Sequence, residues 1–391
     1  MLSSIRLLFV SRNFPPLKGG MERLNHRIFL VMQSAFRMAF CGPRGSSGFI
    51  ANPEHLTELP VSSLVAFLLS CQVSSLRLAL RFTPDIIYSG SGLTAPAVWF
   101  SALVTKAKTV CYLHGLDIVV DHPIYQFFFL RAIKQFDQII VNSKHTAALA
   151  MAAGIRQDAI AIVHPGVELP DLRWSSECRR RFRHHISAGE RSILLIAGRL
   201  TERKGVADFV RYGLPEVRRV FPDTLLVVVG EEARSALKHR KGVTEGILCA
   251  AEESGCEDIV FLGAVDDAML SDAYFAADVM VFPVLDLPGD VEGFGMVALE
   301  AAAHGLPTVA FAVGGVPDAV EHGRSGYLAK SGDYFQFSQY VIELLHSRHR
   351  AGTIPCAASC IEFAQGFAWP LFNQRFLAVL QSLDSVRKVV R

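Results

Sequence analysis

Short runs of apolar residues alternate along this chain with longer segments in which apolar residues recur at helical spacing. Residues 5–10 and 192–197 are two such runs of strand length, and each precedes a polar turn and then a helical pattern. Strands that alternate with amphipathic helices are typical of parallel α/β sheets. Because this order restarts near residue 192, the sequence predicts an α/β protein with two Rossmann-like, doubly wound domains.

The same pattern predicts further elements in both halves. Strands are predicted at residues 86–89, 109–114, 138–142 and 161–164, then at 224–230, 259–262, 278–283 and 307–312, and helices at 22–36, 144–153 and 206–220. Ligands of such sheets bind beyond the carboxyl ends of the strands. We therefore expect the loops after these strands to line a cleft between two facing domains.

The stretch 169–191 separates the two halves and contains six arginines and two histidines. A segment of such charge density is usually solvated and marks a boundary. The sequence therefore predicts an N-terminal domain at residues 1–170, a C-terminal domain at 171–366 and a final segment at 367–391.

Composition and charge exclude several classes of protein. With 391 residues the chain is too long for a single core, and its net charge of +2 argues against a general nucleic-acid binder. Eight cysteines show neither zinc-knuckle spacing nor a disulfide pattern, which favours reduced thiols in a cytoplasmic protein. The apolar N-terminus lacks a signal-peptide cleavage site, and serines, Gln72 and Arg77 interrupt the apolar stretch 64–80, so no transmembrane helix is expected.

Two glutamates eight positions apart carry the strongest chemical signal. Glu292 is followed by Gly293 and Gly295, and Glu300 lies in the apolar helical stretch that opens at Gly295. A carboxylate can accept hydrogen bonds from two sugar hydroxyls, glycine lets the backbone approach a ligand, and a helix N-terminus favours a phosphate. After a predicted strand, this pattern predicts a sugar-nucleotide site.

Turns between strand and helix carry further candidates. In the second half, Arg199 can bind two phosphate oxygens and Lys204 adds a point charge, although surface cations are often only solvated. In the first half, Gly19 and Gly20 can either direct backbone N–H groups at a phosphate or form a flexible turn. A lone histidine at a strand end is more often structural, yet His114 is expected at the sheet edge near the reacting group.

A metal site is not expected. The chain contains no Asp-x-Asp pair, and its His and Cys spacing offers no transition-metal site. Arg199, Lys204 and helix N-termini would then meet the charge of a leaving diphosphate. No bound cofactor is predicted.

Several motifs together resemble one known family, the retaining GT-B glycosyltransferases of glycosyltransferase family four. The resemblance covers nearly the whole chain and is strongest at residues 193–328. It rests on Gly19-Gly20, His114-Gly115-Leu116-Asp117, Val141-Asn142-Ser143, Gly198-Arg199-Leu200 with Lys204-Gly205, and Glu292-Gly293-Phe294-Gly295 through Glu300. It implies a GT-B fold whose second domain binds the donor and whose first domain binds the acceptor, with the segment 367–391 crossing back to the first domain.

The resemblance also implies a role for each candidate residue. Arg199 and Lys204 would hold the donor diphosphate, and Glu300 would bind the ribose hydroxyls. Glu292, with Gly293 and the backbone of Phe294 and Gly295, would hold the donor sugar. The Gly19-Gly20 loop would close on the phosphates, His114 would approach the reacting sugar, the backbone around Val265 would meet the base, and Asp117 and Ser143 would lie on the acceptor side.

The implied reaction is metal-independent hexosyl transfer with retention, through a front-face mechanism. The Asp-Val-Glu-Gly form at residues 290–293 is similar to bacterial lipid-linked mannosyltransferases, so GDP-mannose or another GDP-hexose is the first expectation. The acceptor would be a hydroxyl of a glycan or glycolipid in cell-envelope polysaccharide synthesis. A UDP-sugar transferase, a GT-B sugar-nucleotide epimerase or hydrolase, and a non-catalytic nucleotide-sugar-binding subunit remain as alternatives.

Two segments of the first half could meet a membrane. Residues 56–82 combine apolar runs with Arg77 and Arg81, and residues 123–131 place aromatic side chains beside Arg131. Such segments can lie in an interface next to anionic lipid. Ordinary helix-on-sheet packing explains them equally, so peripheral contact with the inner face of the cytoplasmic membrane is one of two expectations.

Overall fold

The computed structural model of the chain describes residues 5–51, 53–232, 242–347 and 355–389. Two compact units divide the chain: Met1–Gly166 together with Trp369–Arg391 form the first unit, and Val167–Ala368 form the second. The first unit therefore includes the end of the chain. The predicted domain boundaries, after residues 170 and 366, lie close to the divisions after Gly166 and after Ala368.

A seven-stranded sheet, parallel throughout, forms the centre of the first unit, in the order β3-β2-β1-β4-β5-β6-β7. The strands are β1 (Arg6–Val10), β2 (Arg37–Pro43), β3 (His55–Leu59), β4 (Ile86–Ser89), β5 (Lys108–Leu113), β6 (Gln138–Val141) and β7 (Ile160–Ile162). The helices are α1 (Gly20–Ala35), α2 (Leu64–Phe82), α3 (Ala95–Thr105), α4 (Leu116–Val119), α5 (Arg131–Ile133) and α6 (Lys144–Ala152), with a π-helical segment at Tyr125–Leu130.

Both faces of this sheet are covered, which explains why its strands are continuous apolar runs. On one face Leu8 packs in a core with Phe67 of α2. On the other face Phe9 packs with Ile28 of α1 and with Phe376 of the last helix of the chain. The segment after residue 367 thus completes the core of the first unit.

Helix α2 packs on the sheet although it is long and apolar. Among the described residues it is the one helix whose length and mean hydropathy of 1.4 would allow it to cross a membrane, a test that core helices also pass. Its buried face, with Phe67, Cys71 and Phe82, lies against the sheet. Its outward face is apolar at Val65 and Leu69, each 66% exposed.

A six-stranded parallel sheet forms the centre of the second unit, in the order β10-β9-β8-β11-β12-β13. The strands are β8 (Ile193–Ala197), β9 (Leu225–Val229), β10 (Ile259–Gly263), β11 (Val279–Phe282), β12 (Thr308–Phe311) and β13 (Gly326–Ala329). The helices are α7 (Ser175–His185), α8 (Val206–Asp208), α9 (Leu214–Val220), α10 (Val243–Ser254), α11 (Asp267–Ala276), α12 (Met296–Ala303), α13 (Val316–Ala319), α14 (Tyr334–Ser347) and α15 (Ala357–Gln365); α16 (Trp369–Val389) belongs to the first unit.

Three strands were not predicted from the sequence: β2, β3 and β13. Strand β2 follows α1 directly and contains Gly42 and Pro43, residues that are depleted in strands. Strand β13 is only four residues long and begins at Gly326. These strands are stabilised by pairing with neighbouring strands, and such pairing cannot be predicted from the local pattern of apolar residues.

The arginine-rich stretch 169–191 is mostly exposed, as predicted, but it is not an irregular linker. It forms α7, which packs against α11. Arg181 forms two hydrogen bonds of 2.6 Å to Asp272, and Arg183 donates to the carbonyl of Ala276 at 3.0 Å. A carboxylate and the orphan carbonyls at the end of α11 thus bind Arg179, Arg181 and Arg183, whereas Arg173 and Arg180 stay exposed.

Candidate functional site

The strand order of the second sheet reverses between β8 and β11. The loops that follow these two strands, residues 198–205 and 283–295, leave the same edge of the sheet because all its strands are parallel. Doubly wound sheets bind their ligands at such a switch point. The residues predicted from the second half of the sequence lie in or next to these two loops.

Glu292 lies at the centre of a buried charge cluster. Its Oε2 accepts a hydrogen bond from Lys204 Nζ at 2.7 Å and also binds Arg203 Nη1. Arg203 donates from Nε to Asp290 Oδ1 at 3.0 Å. The side chains of Glu292, Lys204 and Arg203 are only 13%, 14% and 17% exposed, so water screens these charges weakly.

The cluster determines the charge of its members. Burial alone would raise the pKa of Glu292, but the Lys204 and Arg203 cations outweigh burial and lower that pKa to about 2. Burial lowers the pKa of Lys204, and its pairing with Glu292 opposes this. Burial also acts against the charge of Arg203, yet Glu292 and Asp290 raise its pKa. Glu292 is therefore an ionised acceptor of hydrogen bonds at neutral pH.

Arg203 is a site residue that the sequence analysis missed. Arg199 and Lys204 are the cations predicted for this loop, whereas the structure leaves Arg199 exposed and brings Arg203 to Glu292. Arg203 and Lys204 lie in a single 3₁₀ turn, Glu202–Lys204. In the sequence, the adjacent cations Arg203 and Lys204, just before Gly205, were the feature that could have indicated this role for Arg203.

Close backbone packing brings the two loops together. Gly205 has φ +65°, and a Cβ atom built there would lie 2.0 Å from the carbonyl oxygen of Pro283. The backbone N–H of Leu285 donates to the Arg203 carbonyl at 2.8 Å. Lys204 Nζ also lies 4.6 Å from the centre of the Phe282 ring. Glycine is therefore required at 205 for Lys204 and Arg203 to reach Glu292.

The loop after β12 supports Glu292 from behind. The N–H of Gly315 donates to the Glu292 carbonyl at 2.8 Å, and a Cβ atom on Gly315 would lie 2.0 Å from the Gly293 carbonyl oxygen. The Gly314-Gly315 pair thus serves close packing. Helix α12 begins directly after Gly295, as predicted, and buries Phe294 at its entrance.

Glu300 lies one turn into α12 and accepts a hydrogen bond from the hydroxyl of Tyr274 at 3.0 Å. Val265, the residue predicted next to the base, is half-buried in the loop after β10. Glu300 and Val265 belong to the second unit, as do Glu292, Lys204 and Arg203. Two cations, two carboxylates and a helix N-terminus are thus available for a ligand that carries both phosphates and hydroxyls.

Within the described residues, no group of three or more His, Cys, Asp and Glu side chains is arranged to hold a metal ion. The eight cysteines are free thiols. The expectation that the reaction needs no divalent metal stays a prediction.

The carboxyl edge of the first sheet carries His114 and Asp117 in a hydrogen-bonded loop. His114 is buried, and its Nε2 donates to the Gly90 carbonyl at 3.1 Å. The Asp117 carboxylate accepts from the backbone N–H groups of Gly92 at 3.1 Å and of His114 at 2.9 Å. Asp117 therefore orients the loop that holds His114.

Three other predicted residues of the first unit, Gly19, Gly20 and Ser143, have structural roles. Gly19 precedes α1, and its carbonyl accepts from the N–H of Arg23 at 3.0 Å, while Gly20 is the first residue of the helix. Ser143 is fully buried and caps α6 by accepting from the N–H of Thr146 at 3.1 Å. This cap accounts for a serine at 143 without an acceptor substrate.

Family models match both halves of the chain. A model described as Glycosyltransferase Family 4 matches residues 18–170, and a model described as Glycosyl transferases group 1 matches residues 191–347.

Relatives and solved structures resemble the whole length. The chain is 26% identical over 360 residues to a GDP-mannose-dependent alpha-(1-6)-phosphatidylinositol monomannoside mannosyltransferase of Mycolicibacterium smegmatis, with 90% of this chain and 92% of that protein covered. It is 31% identical over 248 residues to a D-inositol 3-phosphate glycosyltransferase of Segniliparus rotundus, covering 63% and 52%. The crystal structure of Anabaena HepE with UDP matches with a TM-score of 0.77 at 18% identity, covering 97% of this chain and all of that one.

Proposed function

Because the chain belongs to glycosyltransferase family four and has the GT-B fold, we propose that it transfers a hexose from a GDP-hexose, GDP-mannose first, to a hydroxyl of a glycan or lipid-linked acceptor. The observation that carries this proposal is the buried contact of Glu292 with Lys204 and Arg203 beside the N-terminus of α12. The cations suit a diphosphate, and Glu292 suits the hydroxyls of a hexose.

The choice of GDP-mannose rests on the relatives. The mycobacterial relative is GDP-mannose-dependent by its description and is matched over 92% of its length. The alternative, a UDP-sugar, has its own support in HepE, whose structure contains UDP. An epimerase, a hydrolase and a non-catalytic subunit rank lower, because no observation in the chain favours them.

A thermal-shift panel with GDP, UDP, ADP, TDP and NAD tests the donor. A nucleotide that binds only the folded state stabilises it by about 2.7 kcal/mol at 100 times its dissociation constant. We expect a shift with GDP alone. A shift with UDP alone would replace the GDP-hexose by a UDP-sugar, and no shift with either would contradict the proposed donor site. Glu257→Gln, an exposed carboxylate before β10, is a control that should leave the shift unchanged.

We propose that transfer proceeds with retention, by a front-face route. In that route the bond from the anomeric carbon to the diphosphate breaks, the acceptor hydroxyl attacks the same face, and the leaving phosphate takes the hydroxyl proton. Lys204 and Arg203 would stabilise the charge that develops on the diphosphate. The anomeric configuration of the isolated product, read by NMR against that of the donor, tests this step.

We also propose peripheral contact of the first unit with anionic lipid. Its helices α2 and α3 and the π-helical segment contain no acidic residue. Together with Ile124, which precedes that segment, they expose ten large apolar side chains: Val65, Leu69, Val73, Leu80, Phe100, Leu103, Val104, Ile124, Phe127 and Phe128. Arg77, Arg81 and Arg131 lie among them, and the Arg131 guanidinium stacks 4.1 Å from the Phe127 ring. Charge and apolar area together favour a lipid surface.

Sedimentation with vesicles tests this contact. Wild-type protein is expected to sediment with phosphatidylglycerol vesicles at low salt and less with neutral vesicles. The double substitution Phe127→Ser and Phe128→Ser should keep the protein in the supernatant, whereas Phe335→Ser, on an exposed phenylalanine of the second unit, should not. Wild-type protein that stays entirely in the supernatant would contradict the contact.

A further inference from the structure

Two side-chain hydrogen bonds connect α11 to α12, and one of them involves Glu300. Ser271 and Tyr274 lie three residues apart on α11, and Glu300 and His304 lie four residues apart at α12, so each pair shares one helix face. Tyr274 donates from its hydroxyl to Glu300 Oε2 at 3.0 Å, and Ser271 Oγ lies 2.9 Å from His304 Nε2. The two helices are therefore joined at two positions by side-chain hydrogen bonds.

His304 also holds the backbone of Glu300. Its Nδ1 lies 2.7 Å from the Glu300 carbonyl oxygen, and since a carbonyl can only accept, Nδ1 carries the proton. In the neutral ring Nε2 is then free to accept from the Ser271 hydroxyl. Burial lowers the pKa of His304, which favours this neutral form.

The Tyr274 ring has little freedom to move. It is 2% exposed, packs in the core with Met280 and Ala301, and lies 5.0 Å from the His304 ring. A buried hydroxyl needs a hydrogen-bond partner, and the ring directs this one at a carboxylate.

Helix α11 is itself fixed from its other side. Arg181 of α7 pairs with Asp272, and Arg179 donates to the Ala276 carbonyl at 2.8 Å and to Asp278 at 2.9 Å. The arginine-rich stretch thus anchors the helix that presents Tyr274. A rigid support of this kind is what holds a binding group in its productive geometry.

We propose that Tyr274, supported by His304, is a positioning residue that aims the Glu300 carboxylate at the ribose diol of the donor nucleotide. This inference rests on the proposed function, in which Glu300 binds ribose. Tyr274 itself touches no substrate in this scheme; its hydroxyl binds Glu300 Oε2 and so fixes the direction of the carboxylate.

Tyr274→Phe tests the inference, because it removes the hydroxyl and keeps the buried ring. Calorimetric dissociation constants are measured for GDP and for 2′,3′-dideoxy-GDP, or for the UDP pair if the wild type binds UDP. We expect Tyr274→Phe to weaken the ribonucleotide by about tenfold, as for loss of a hydrogen bond to a charged group, and to leave the dideoxynucleotide unchanged. Tyr212→Phe, on an exposed tyrosine of the same unit, should change neither.

Other results would contradict either the role of Tyr274 or the proposed function. Unchanged ribonucleotide binding by Tyr274→Phe, or equal weakening of both nucleotides, overturns the positioning role. If Tyr274→Phe does not fold, the comparison is made with Glu300→Gln: discrimination between GDP and dideoxy-GDP that survives in that variant overturns the inference while nucleotide binding still supports the donor site. A wild type that binds neither GDP nor UDP overturns the proposed function together with the inference.

Discussion

The carboxyl edges of the two sheets differ in how their polar groups are satisfied. In the second unit, Glu292 is held by side-chain charges, those of Lys204 and Arg203. In the first unit, His114 and Asp117 bind mainly backbone groups: the Gly90 carbonyl and two N–H groups. Buried opposite charges interact strongly and can be exchanged for the charges of a ligand, whereas backbone contacts fix a loop. We therefore expect charge recognition at the edge of the second sheet and local orientation at the edge of the first.

Loss of the Glu292 charge should produce the largest effect. Glu292→Gln is expected to lower kcat by about 10²- to 10³-fold, because in the proposed function the carboxylate holds the sugar in the transition state, and Lys204 and Arg203 lose their charged partner. Steady-state transfer from the nucleotide sugar identified in the panel measures this. Glu257→Gln serves as the control, and wild-type activity in Glu292→Gln would contradict the donor-site assignment.

The same carboxylate should give stability a defined dependence on pH. Its folded pKa of about 2 lies below the unfolded value of 4.5, so its contribution is present above pH 4.5 and is lost as pH falls towards 2. The shift corresponds to roughly 3 kcal/mol. Urea unfolding from pH 6 downward should show a shallower loss of stability for Glu292→Gln than for wild type. Parallel curves would mean that the charge cluster does not hold Glu292 in its ionised form.

Lys204→Ala should weaken binding of the nucleoside diphosphate by about 1.5–3 kcal/mol, the range for a charged hydrogen bond. Titration calorimetry measures this loss, and Lys106→Ala, on an exposed lysine of the first unit, is the matched control. Equal affinities for Lys204→Ala and wild type would place the diphosphate elsewhere.

A substitution in the first unit should separate turnover from binding. If His114 approaches the reacting sugar, as the family resemblance implies, His114→Ala is expected to lower kcat by about 10- to 100-fold and to leave nucleotide affinity unchanged. His185→Ala, at the exposed end of α7, provides the control. A loss of nucleotide affinity in His114→Ala would contradict the expectation that the second unit binds the nucleotide and that the first unit affects only turnover.

The smallest effect is expected from the contact between Arg203, which binds Glu292, and Asp290, which binds Arg203. Arg203→Gln and Asp290→Asn should each raise the donor KM, and the double variant should fall short of the sum by about 1 kcal/mol, because the two residues share one hydrogen bond. A double-mutant cycle on KM measures this coupling. Strict additivity would show that Arg203 acts on Glu292 without Asp290.

The sequence predicted those strands and helices whose apolar residues recur at the spacing of a single kind of element. Strand β8 lies at Ile193–Ala197 where an apolar run was predicted, and α12 begins after Gly295 as the glycine and the apolar stretch indicated. Strand β2, with Gly42 and Pro43, depends on its neighbours in the sheet and was missed. The arginines of α7 were assigned to solvent because composition does not show that Asp272 lies opposite them.

For the site, the sequence by itself determined the chemistry: two carboxylates, adjacent cations and glycines at the ends of predicted strands, all within reach of a helix N-terminus. These choices are local, since a glycine at 205 or 295 reflects the backbone conformation at that position. Only the tertiary structure decided which cation binds Glu292, and it selected Arg203 beside Lys204 while Arg199 stayed exposed. It also placed Tyr274 against Glu300. Such pairings depend on which loops and helices the parallel sheets bring side by side, and residues far apart in sequence carry no mark of that proximity.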